Sequence, residues 1–232
     1  MCPDQGDVMK RKKFVQGMLP FPNGWGGVRK GAGRKRSPQS GVRHVTRVPL
    51  AARYPVHVTV RVGKGLPSLR KQAEFLAVRG AFEKGCERFG FRLVHYSVQA
   101  DPLHLLVEAK DRTALTRGMQ GLLVRIAKAL NKLWGRAGKV FGDRFHDRVL
   151  KTPREVRNAL AYVLNNAPEG GARRRSRRLW TSGWWFDGWR EKLTLRGIDD
   201  IPRHVAKART WLLGTGWRRH RLIDPEEVPG AT

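Results

Sequence analysis

Apolar and polar residues alternate along two stretches of the chain. Residues 56–62 read VHVTVRV and residues 91–108 read FRLVHYSVQADPLHLLVE. Because successive side chains of a β-strand point to opposite faces, the first stretch predicts one strand and the second predicts two, joined by a turn at residues 100–102. On the last strand, one face carries His104, Leu106 and Glu108 and the other carries Leu103, Leu105 and Val107.

Two longer stretches have the spacing of three and four residues that is typical of an amphipathic helix. The first is predicted to begin at the N-cap Ser68 and to end at Gly90. The second is predicted to begin at Asp111 and to end before Gly135. Their apolar stripes, which we expect in the core, are Phe75, Val78, Phe82, Cys86 and Phe89 in the first helix and Leu115, Met119, Leu122, Ile126, Leu130 and Leu133 in the second.

A fourth strand and a third helix are predicted to follow. Residues 140–151 indicate a strand or bent hairpin, and residues 152–168 (TPREVRNALAYVLNNAP) indicate a short helix. Thr152 and Glu155 have the spacing of a capping box, and Pro153 suits the first helical position. The order strand, helix, strand, strand, helix, strand, helix predicts an α+β fold, namely a ferredoxin-like antiparallel sheet with helices packed on one face.

The two ends of the chain differ from this central domain, residues 48–168. Residues 1–47 are rich in glycine and basic residues without periodicity, which predicts a disordered basic arm. Residues 169–232 combine a basic linker, a Trp-rich segment (residues 180–189) and two short helices around residues 214–216. The tryptophans suit either stacking on unpaired bases or anchoring a flap to the domain, and we favour the flap.

Composition narrows the class of partner. The 232 residues include 47 Lys and Arg against 19 Asp and Glu, a formal charge of +28, and such a surface binds polyanions. No apolar run is long enough to span a bilayer, which favours nucleic acid over membrane. Cys2 and Cys86 form neither a zinc pattern nor a disulfide framework, and the first residues lack the apolar core of a signal peptide. We therefore expect a cytoplasmic location.

Several basic residues are candidates for contacts with nucleic-acid phosphates. The helix that begins at Asp111 carries a basic ridge opposite its apolar stripe, and the arm and the linker carry dense basic runs. Such residues form either a solvated face or contacts to a nucleic-acid backbone. The candidates are Arg34, Lys35, Arg36, Arg61, Arg117, Arg125, Lys128, Arg148, Arg173, Arg174 and Arg175.

Five short segments together resemble the single-tyrosine HUH transposases, the insertion-sequence 200-like and REP-associated tyrosine transposases. The segments are VHVTVRV (56–62), LPSLR (66–70), LHLLVE (103–108), FHDRVLK (145–151) and AYVLNNAP (161–168). The resemblance covers about residues 45–168 and rests on the order and spacing of the segments. It implies a ferredoxin-like domain and a role in DNA transposition.

The resemblance also implies a chemistry. The family cuts single-stranded DNA with a tyrosine nucleophile, and a divalent metal, commonly magnesium or manganese, is held by a His-hydrophobe-His strand and a polar residue one turn after the tyrosine. By this resemblance Tyr162 is the nucleophile, His104 is a metal ligand and Asn166 is the ligand on the helix. The expected partner is single-stranded or hairpin DNA, and dimerisation is expected from the resemblance alone.

The sequence departs from the family pattern at one ligand position. The motif reads Pro102-Leu103-His104, and proline cannot bind a metal. One imidazole and one amide would hold a hard ion weakly. The residues that could replace the missing histidine are Asp101, His57 and His146.

Three functions remain as alternatives. The first is an active transposase or nuclease, favoured by Tyr162 and Asn166, although Tyr162 and His104 also suit half-buried core positions. The second is an inactive descendant that still binds DNA, favoured by Pro102. The third is an RNA-binding protein, because RNA-recognition domains share the topology. The strand LHLLVEA lacks the paired exposed rings that such domains use to stack bases, which disfavours the third.

Overall fold

An antiparallel sheet forms the centre of the fold. The computed structural model describes residues 48–165, 180–191 and 203–227. In this part of the chain the strands are Val56–Val60 (β1), Glu87–Arg88 (β2), Phe91–Val98 (β3), Leu103–Ala109 (β4) and His146–Val149 (β5), in the order β2-β3-β4-β1-β5. Apart from the short β2, this is the ferredoxin-like strand order, and the predicted fold class is confirmed.

Helices cover both faces of the sheet. Helices α1 (Gln72–Glu83) and α2 (Arg112–Leu133) pack on one face, as predicted. Helix α3 (Pro153–Asn165) packs on the other face, which differs from an arrangement with helices on one face only. It is joined there by the short helix α4 (Trp211–Gly214) and the 3-10 helix Gly216–His220. A second 3-10 helix, Ser182–Trp185, lies against β3, and its Trp185 packs with the core of α1 and α2. Among the described residues, no helix has both the length and the apolar character needed to cross a bilayer.

The alternation along β4 divides its side chains between two cores. Leu103, Leu105 and Val107 pack with α1 and α2, whereas Leu106 packs with α3. The whole strand is buried, because each of its faces is covered. The predicted faces are therefore confirmed.

The apolar stripes of the two long helices are shorter than predicted. Helix α1 begins after Lys71 rather than Ser68. It also ends before the turn at Phe89 and Gly90, where the φ angles are 50° and 78°. Phe89 is consequently 84% exposed, and Leu133 at the end of α2 is 44% exposed. Neither residue belongs to the core.

Side chains cap the first turns of α2 and α3, and the cap of α3 is the one predicted from the sequence. The Asp111 carboxylate accepts a hydrogen bond from the Ala114 N–H at 2.7 Å and caps α2. The Thr152 hydroxyl accepts from the Glu155 N–H at 3.2 Å, and the Glu155 carboxylate accepts from the Thr152 N–H at 3.1 Å. This reciprocal capping box fixes where α3 begins.

The Trp-rich segment packs against the domain as a flap. The ring of Trp180 meets that of Phe75 with centroids 4.8 Å apart, and Trp189 is buried. The Ser182 hydroxyl accepts a hydrogen bond from the Tyr96 N–H at 2.9 Å. Trp180 therefore packs against the core beneath α1 and α2, and Trp189 belongs to the core beneath α3, so neither ring is left as an open surface for bases.

Glu108 joins the last described segment to the sheet. Its buried carboxylate accepts hydrogen bonds from the Arg92 guanidinium at 2.9 and 3.0 Å. It also accepts from the Arg209 N–H at 3.0 and 3.1 Å and from the N–H and hydroxyl of Thr210, both at 2.8 Å. The carboxylate is thus well satisfied although it lies out of contact with water.

Candidate functional site

Three polar side chains lie together on the α3 face of strands β1 and β4. The register pairs Thr59 with His104 and His57 with Leu106. Because cross-strand partners share a face, His57, Thr59 and His104 all point toward α3. Helix α3 brings Tyr162 over this group, with ring centroids 5.0 Å from His104 and 5.8 Å from His57.

A series of hydrogen-bonding contacts links Tyr162 to both histidines. The Tyr162 hydroxyl lies 3.4 Å from Nε2 of His104. On the other side of the same ring, Nδ1 lies 3.3 Å from Nε2 of His57 and 3.4 Å from the Thr59 hydroxyl. When the proton of His104 is on Nδ1, that nitrogen donates toward His57 and Nε2 accepts from the Tyr162 hydroxyl.

Burial keeps both imidazoles neutral at pH 7. It lowers the pKa of His57 to about 4, with a smaller contribution from the charge of Arg148. It also lowers the pKa of His104 to about 4, with a smaller contribution from His57. Each ring therefore retains a lone pair that can accept a proton or bind a metal.

Tyr162 is accessible from solvent. Its side chain is 38% exposed, whereas His104 beneath it is buried. A concavity of about 440 Å³ opens beside the tyrosine, between α3 and β5, and is lined in part by His57, Arg148 and Asn158. A substrate can therefore reach the hydroxyl without displacing the core.

Arg148 places a positive charge at the edge of this concavity. It is the cross-strand partner of His57, and its side chain forms an ion pair with Glu155 at 3.3 Å. The pKa of Glu155 lies below its usual value, chiefly because the carboxylate accepts a hydrogen bond from the Lys151 N–H. Since the Arg148 side chain is 72% exposed, the pair is weak and the guanidinium remains available to an anion.

The histidine pair could supply part of a metal site. Two ligands bound at about 2.1 Å to one ion lie about 3.0–3.4 Å apart, which agrees with the 3.3 Å between the ring nitrogens. No cluster of three or more His, Cys, Asp or Glu suited to a cation exists in the described ranges, and Asn166 lies outside them. Neutral imidazoles suit manganese or zinc better than magnesium, which prefers oxygen ligands. The described residues could therefore supply two of the ligands of a divalent ion, one from His57 and one from His104.

Of the other two substitutes for the missing histidine, Asp101 is engaged elsewhere, and His146 lies on the same face as the pair without forming a three-residue cluster with it among the described residues. The Asp101 carboxylate accepts a hydrogen bond from the Val62 N–H at 2.9 Å, so it is engaged at the turn before β4. His146 is exposed at the start of β5, opposite Thr59, and its ring makes no hydrogen bond to any described residue. Pro102 precedes β4 and follows a cis peptide bond.

The basic candidates are distributed over both sides of the molecule. Arg61 and Arg148 lie on or next to the strands of the site, at β1 and β5. Helix α2, on the opposite side of the sheet, carries Arg117, Arg125 and Lys128. The residues outside the described ranges are Arg34, Lys35, Arg36, Arg173, Arg174 and Arg175, together with the rest of the predicted arm and most of the linker.

Two polar residues of α3 were missed by the sequence analysis. The exposed residues of this helix are Arg154, Asn158 and Tyr162, which are four positions apart and therefore form one line. The remaining residues of α3 are buried or half-buried. The signal was present in the sequence, since these three positions lie opposite the apolar stripe of the predicted helix.

Comparison with known proteins gives a distant similarity in structure only. No protein-family model and no curated protein matches the chain. A solved structure that is similar is that of a REP-associated tyrosine transposase bound to a REP hairpin, with a TM-score of 0.44 and 14% sequence identity over 54% of this chain and 72% of that chain. A similarity this distant assigns neither a function nor a residue role.

Proposed function

We propose that this protein binds single-stranded or hairpin DNA and cuts and rejoins it through Tyr162, as a transposase-like nuclease. The observation that carries the proposal is the 3.4 Å contact between the exposed Tyr162 hydroxyl and Nε2 of the neutral His104. Nucleophilic catalysis by a hydroxyl requires an adjacent proton acceptor, and this pair meets that requirement. The net charge of +28 supports a polyanionic substrate.

The proposed reaction is a transesterification at phosphorus. The Tyr162 oxygen attacks a backbone phosphate and forms a bond to phosphorus, while the 3′ oxygen of the preceding nucleotide leaves and takes up a proton. His104 accepts the phenolic proton at Nε2, and its Nδ1–H is held toward His57. The resulting 5′-phosphotyrosine keeps the energy of the broken bond, so a 3′-hydroxyl can later displace the tyrosine without a nucleotide cofactor.

His57 and His104 are the described residues that would hold a divalent metal, through Nε2 and Nδ1 respectively. With Nδ1 of His104 bound to a metal, the ring proton would lie on Nε2, so His104 would accept the Tyr162 proton only in the metal-free form. His57 would then replace the histidine that is absent at Pro102, and Asn166, which lies outside the described residues, would be a further ligand. A bound manganese or magnesium ion would polarise the scissile phosphate. This assignment uses an imidazole from β1 and one from β4 rather than two from a single strand.

A DNA-binding protein without cleavage activity is the second candidate function. It is favoured by Pro102 at a ligand position and by the engagement of Asp101 with Val62. Base recognition by an open sheet face, as in RNA-recognition domains, has no support in the geometry, because helices and short segments cover both faces.

Covalent capture tests the proposal. Labelled hairpin DNA with a single-stranded extension is incubated with the protein and manganese or magnesium and is then separated on a denaturing gel. We expect a protease-sensitive shifted band with the wild type and with Tyr54→Phe, a matched control at another tyrosine, and none with Tyr162→Phe. Binding without an adduct, across a panel of hairpins and both metals, would support the second candidate. An adduct that survives Tyr162→Phe would contradict the assignment of the nucleophile.

A further inference from the structure

The exposed surface of α3 is a narrow polar line between two walls. Arg154, Asn158 and Tyr162 form the line, and the eight steps from the first residue to the last correspond to about 12 Å along the helix. One wall is β5 with Arg148, and the other is the C-terminal segment that contains Arg221. The surface beside the proposed nucleophile is therefore an open groove.

Two concavities meet along this line. The first, beside Tyr162, has a volume of about 440 Å³, and the second has a volume of about 720 Å³ and includes Arg154 and Arg221. Asn158 lines both of them. A ligand at Tyr162 can thus continue along α3 into the second concavity without crossing a ridge of the core.

The second concavity contains more positive charge than its ion pairs neutralise. Arg157 pairs with Glu227, and Arg190 pairs with Asp224 at 3.2 Å. Glu226 also lines this concavity, so its four arginines face three carboxylates and the lining keeps a small excess of positive charge.

Two arginines of the second concavity are free to bind an anion. The side chains of Arg154 and Arg221 make no hydrogen bond or ion pair to any described residue, and both are exposed. Arg154 lies near the start of α3, whereas Tyr162 lies near its end. Arg221 lines the same concavity as Arg154, so both arginines lie at the end of the groove farther from Tyr162. The geometry therefore offers two unpaired guanidinium groups at one end of a polar groove that leads to the tyrosine.

We propose that this groove binds the single-stranded DNA that flanks the cut bond, with Arg154 and Arg221 contacting backbone phosphates. The inference rests on the proposed function and names the substrate path of the same site. Guanidinium groups bind phosphate through paired hydrogen bonds, and the amide of Asn158 can bond a base or sugar between them and Tyr162. The exposed line of α3 is one residue wide, which suits a single strand. Contacts from the two arginines to phosphates would set the path and register of that strand.

The salt dependence of binding tests this path. Fluorescence anisotropy with labelled hairpin DNA carrying a single-stranded extension, in the absence of metal, compares the wild type with the double variant Arg154→Gln/Arg221→Gln. Each phosphate contact to a single strand contributes about 0.7 to the slope of log K against log salt, so we expect the slope to decrease by about 1.4. The same two contacts correspond to a loss of roughly 25-fold in affinity at 0.1 M salt.

The matched control is a double variant that removes two positive charges from a surface outside the groove. Lys84→Gln/Arg88→Gln changes two exposed residues near the β2 edge of the sheet, and we expect a much smaller change in slope. Equal losses in both double variants, or no loss in Arg154→Gln/Arg221→Gln, would overturn the path and leave DNA binding in place. A wild type with no salt-dependent binding would overturn the path and the proposed function together. Thermal melting checks that each variant is folded.

A cross-linking experiment tests the position of the strand independently. Asn158→Cys is prepared in a Cys2→Ser/Cys86→Ser background and is mixed with DNA that carries a thiol tether on the single-stranded extension. We expect a disulfide cross-link at Asn158→Cys and not at Gln120→Cys, which is exposed on α2 on the other side of the sheet. A cross-link of equal yield at both sites would contradict the path.

Discussion

Nε2 of His57 on β1 lies 3.3 Å from Nδ1 of His104 on β4, although the two residues are 47 positions apart in the chain. The antiparallel register of β1 and β4 creates this pair, since it sets His57 diagonally across from His104 on one face. His57 therefore places a second imidazole beside His104, which is the group that the motif lacks because Pro102 stands in place of a histidine.

The first prediction concerns metal binding by this pair. We expect His57→Ala and His104→Ala each to weaken the binding of Mn²⁺ at least tenfold, because each removes one of two imidazole ligands. The electron paramagnetic resonance signal of free Mn²⁺ measures the bound fraction without reference to activity. His146→Ala is the control and should bind as the wild type does. A larger loss in His146→Ala than in His57→Ala would exclude the assigned pair.

The second prediction concerns stability in mild acid. Burial lowers the pKa of His57 and His104 to about 4 and that of His95 to about 3, whereas an unfolded histidine titrates near 6.5. Between these values the unfolded chain binds more protons, so the free energy of unfolding should fall as the pH drops from 6.5 toward 4. Urea denaturation at several pH values measures this slope.

Single substitutions show how much of the fall in the free energy of unfolding between pH 6.5 and pH 4 comes from the buried histidines. His57→Gln removes one of the buried titrating rings and should reduce the loss of stability between pH 6.5 and pH 4. His146→Gln removes an exposed ring and should leave the loss unchanged. If both variants keep the slope of the wild type, the acid sensitivity has another origin.

The third prediction concerns the buried carboxylate of Glu108. Glu108→Gln removes the charge that faces the Arg92 guanidinium and replaces an acceptor with a donor near the Thr210 N–H. We expect a loss of about 3 kcal/mol in the free energy of unfolding, because a buried charge loses its partner. Urea denaturation measures it, and Glu83→Gln on the exposed side of α1 should change stability by less than about 0.5 kcal/mol.

The fourth prediction compares two helical glycines. A Cβ atom at Gly118 of α2 would lie 2.2 Å from the Phe91 ring, whereas one at Gly80 of α1 would have no neighbour within 4 Å. Gly80→Ala should therefore stabilise the protein by about 0.5–1 kcal/mol through helix propensity. Gly118→Ala should destabilise it by about 1–3 kcal/mol, because α2 would be pushed off the sheet. Thermal denaturation ranks the two, and stabilisation by both would contradict the close approach of α2 to β3.

Local patterns in the sequence were sufficient for the features that depend on neighbouring residues. The alternation of Leu105, Leu106 and Val107 predicts which side chains face which core, because the period of a strand is fixed by its backbone. The capping box of Thr152 and Glu155 predicts where α3 begins, since both partners lie within one turn. These features need no knowledge of the tertiary structure.

Features that depend on long-range contacts were not predictable in the same way. By spacing, the apolar stripe of α1 extends to Phe89, but a turn with positive φ at Phe89 and Gly90 places that ring in solvent. The sequence could name His57 as a candidate and could not choose it over Asp101, because the choice depends on strand register and on the hydrogen bond from Val62 to Asp101.

The hydrogen bonds of Glu108 set an order for the assembly of this protein during synthesis. Four of them come from Arg209 and Thr210, which are 101 and 102 residues further along the chain. A ribosome makes the strands and helix α3 well before it makes these partners, so the carboxylate at the end of β4 must wait for the C-terminal segment. During synthesis Glu108 therefore lacks most of its partners until residues 209 and 210 have been made, whereas the residues that line the concavity beside Tyr162, between positions 57 and 162, are all made earlier.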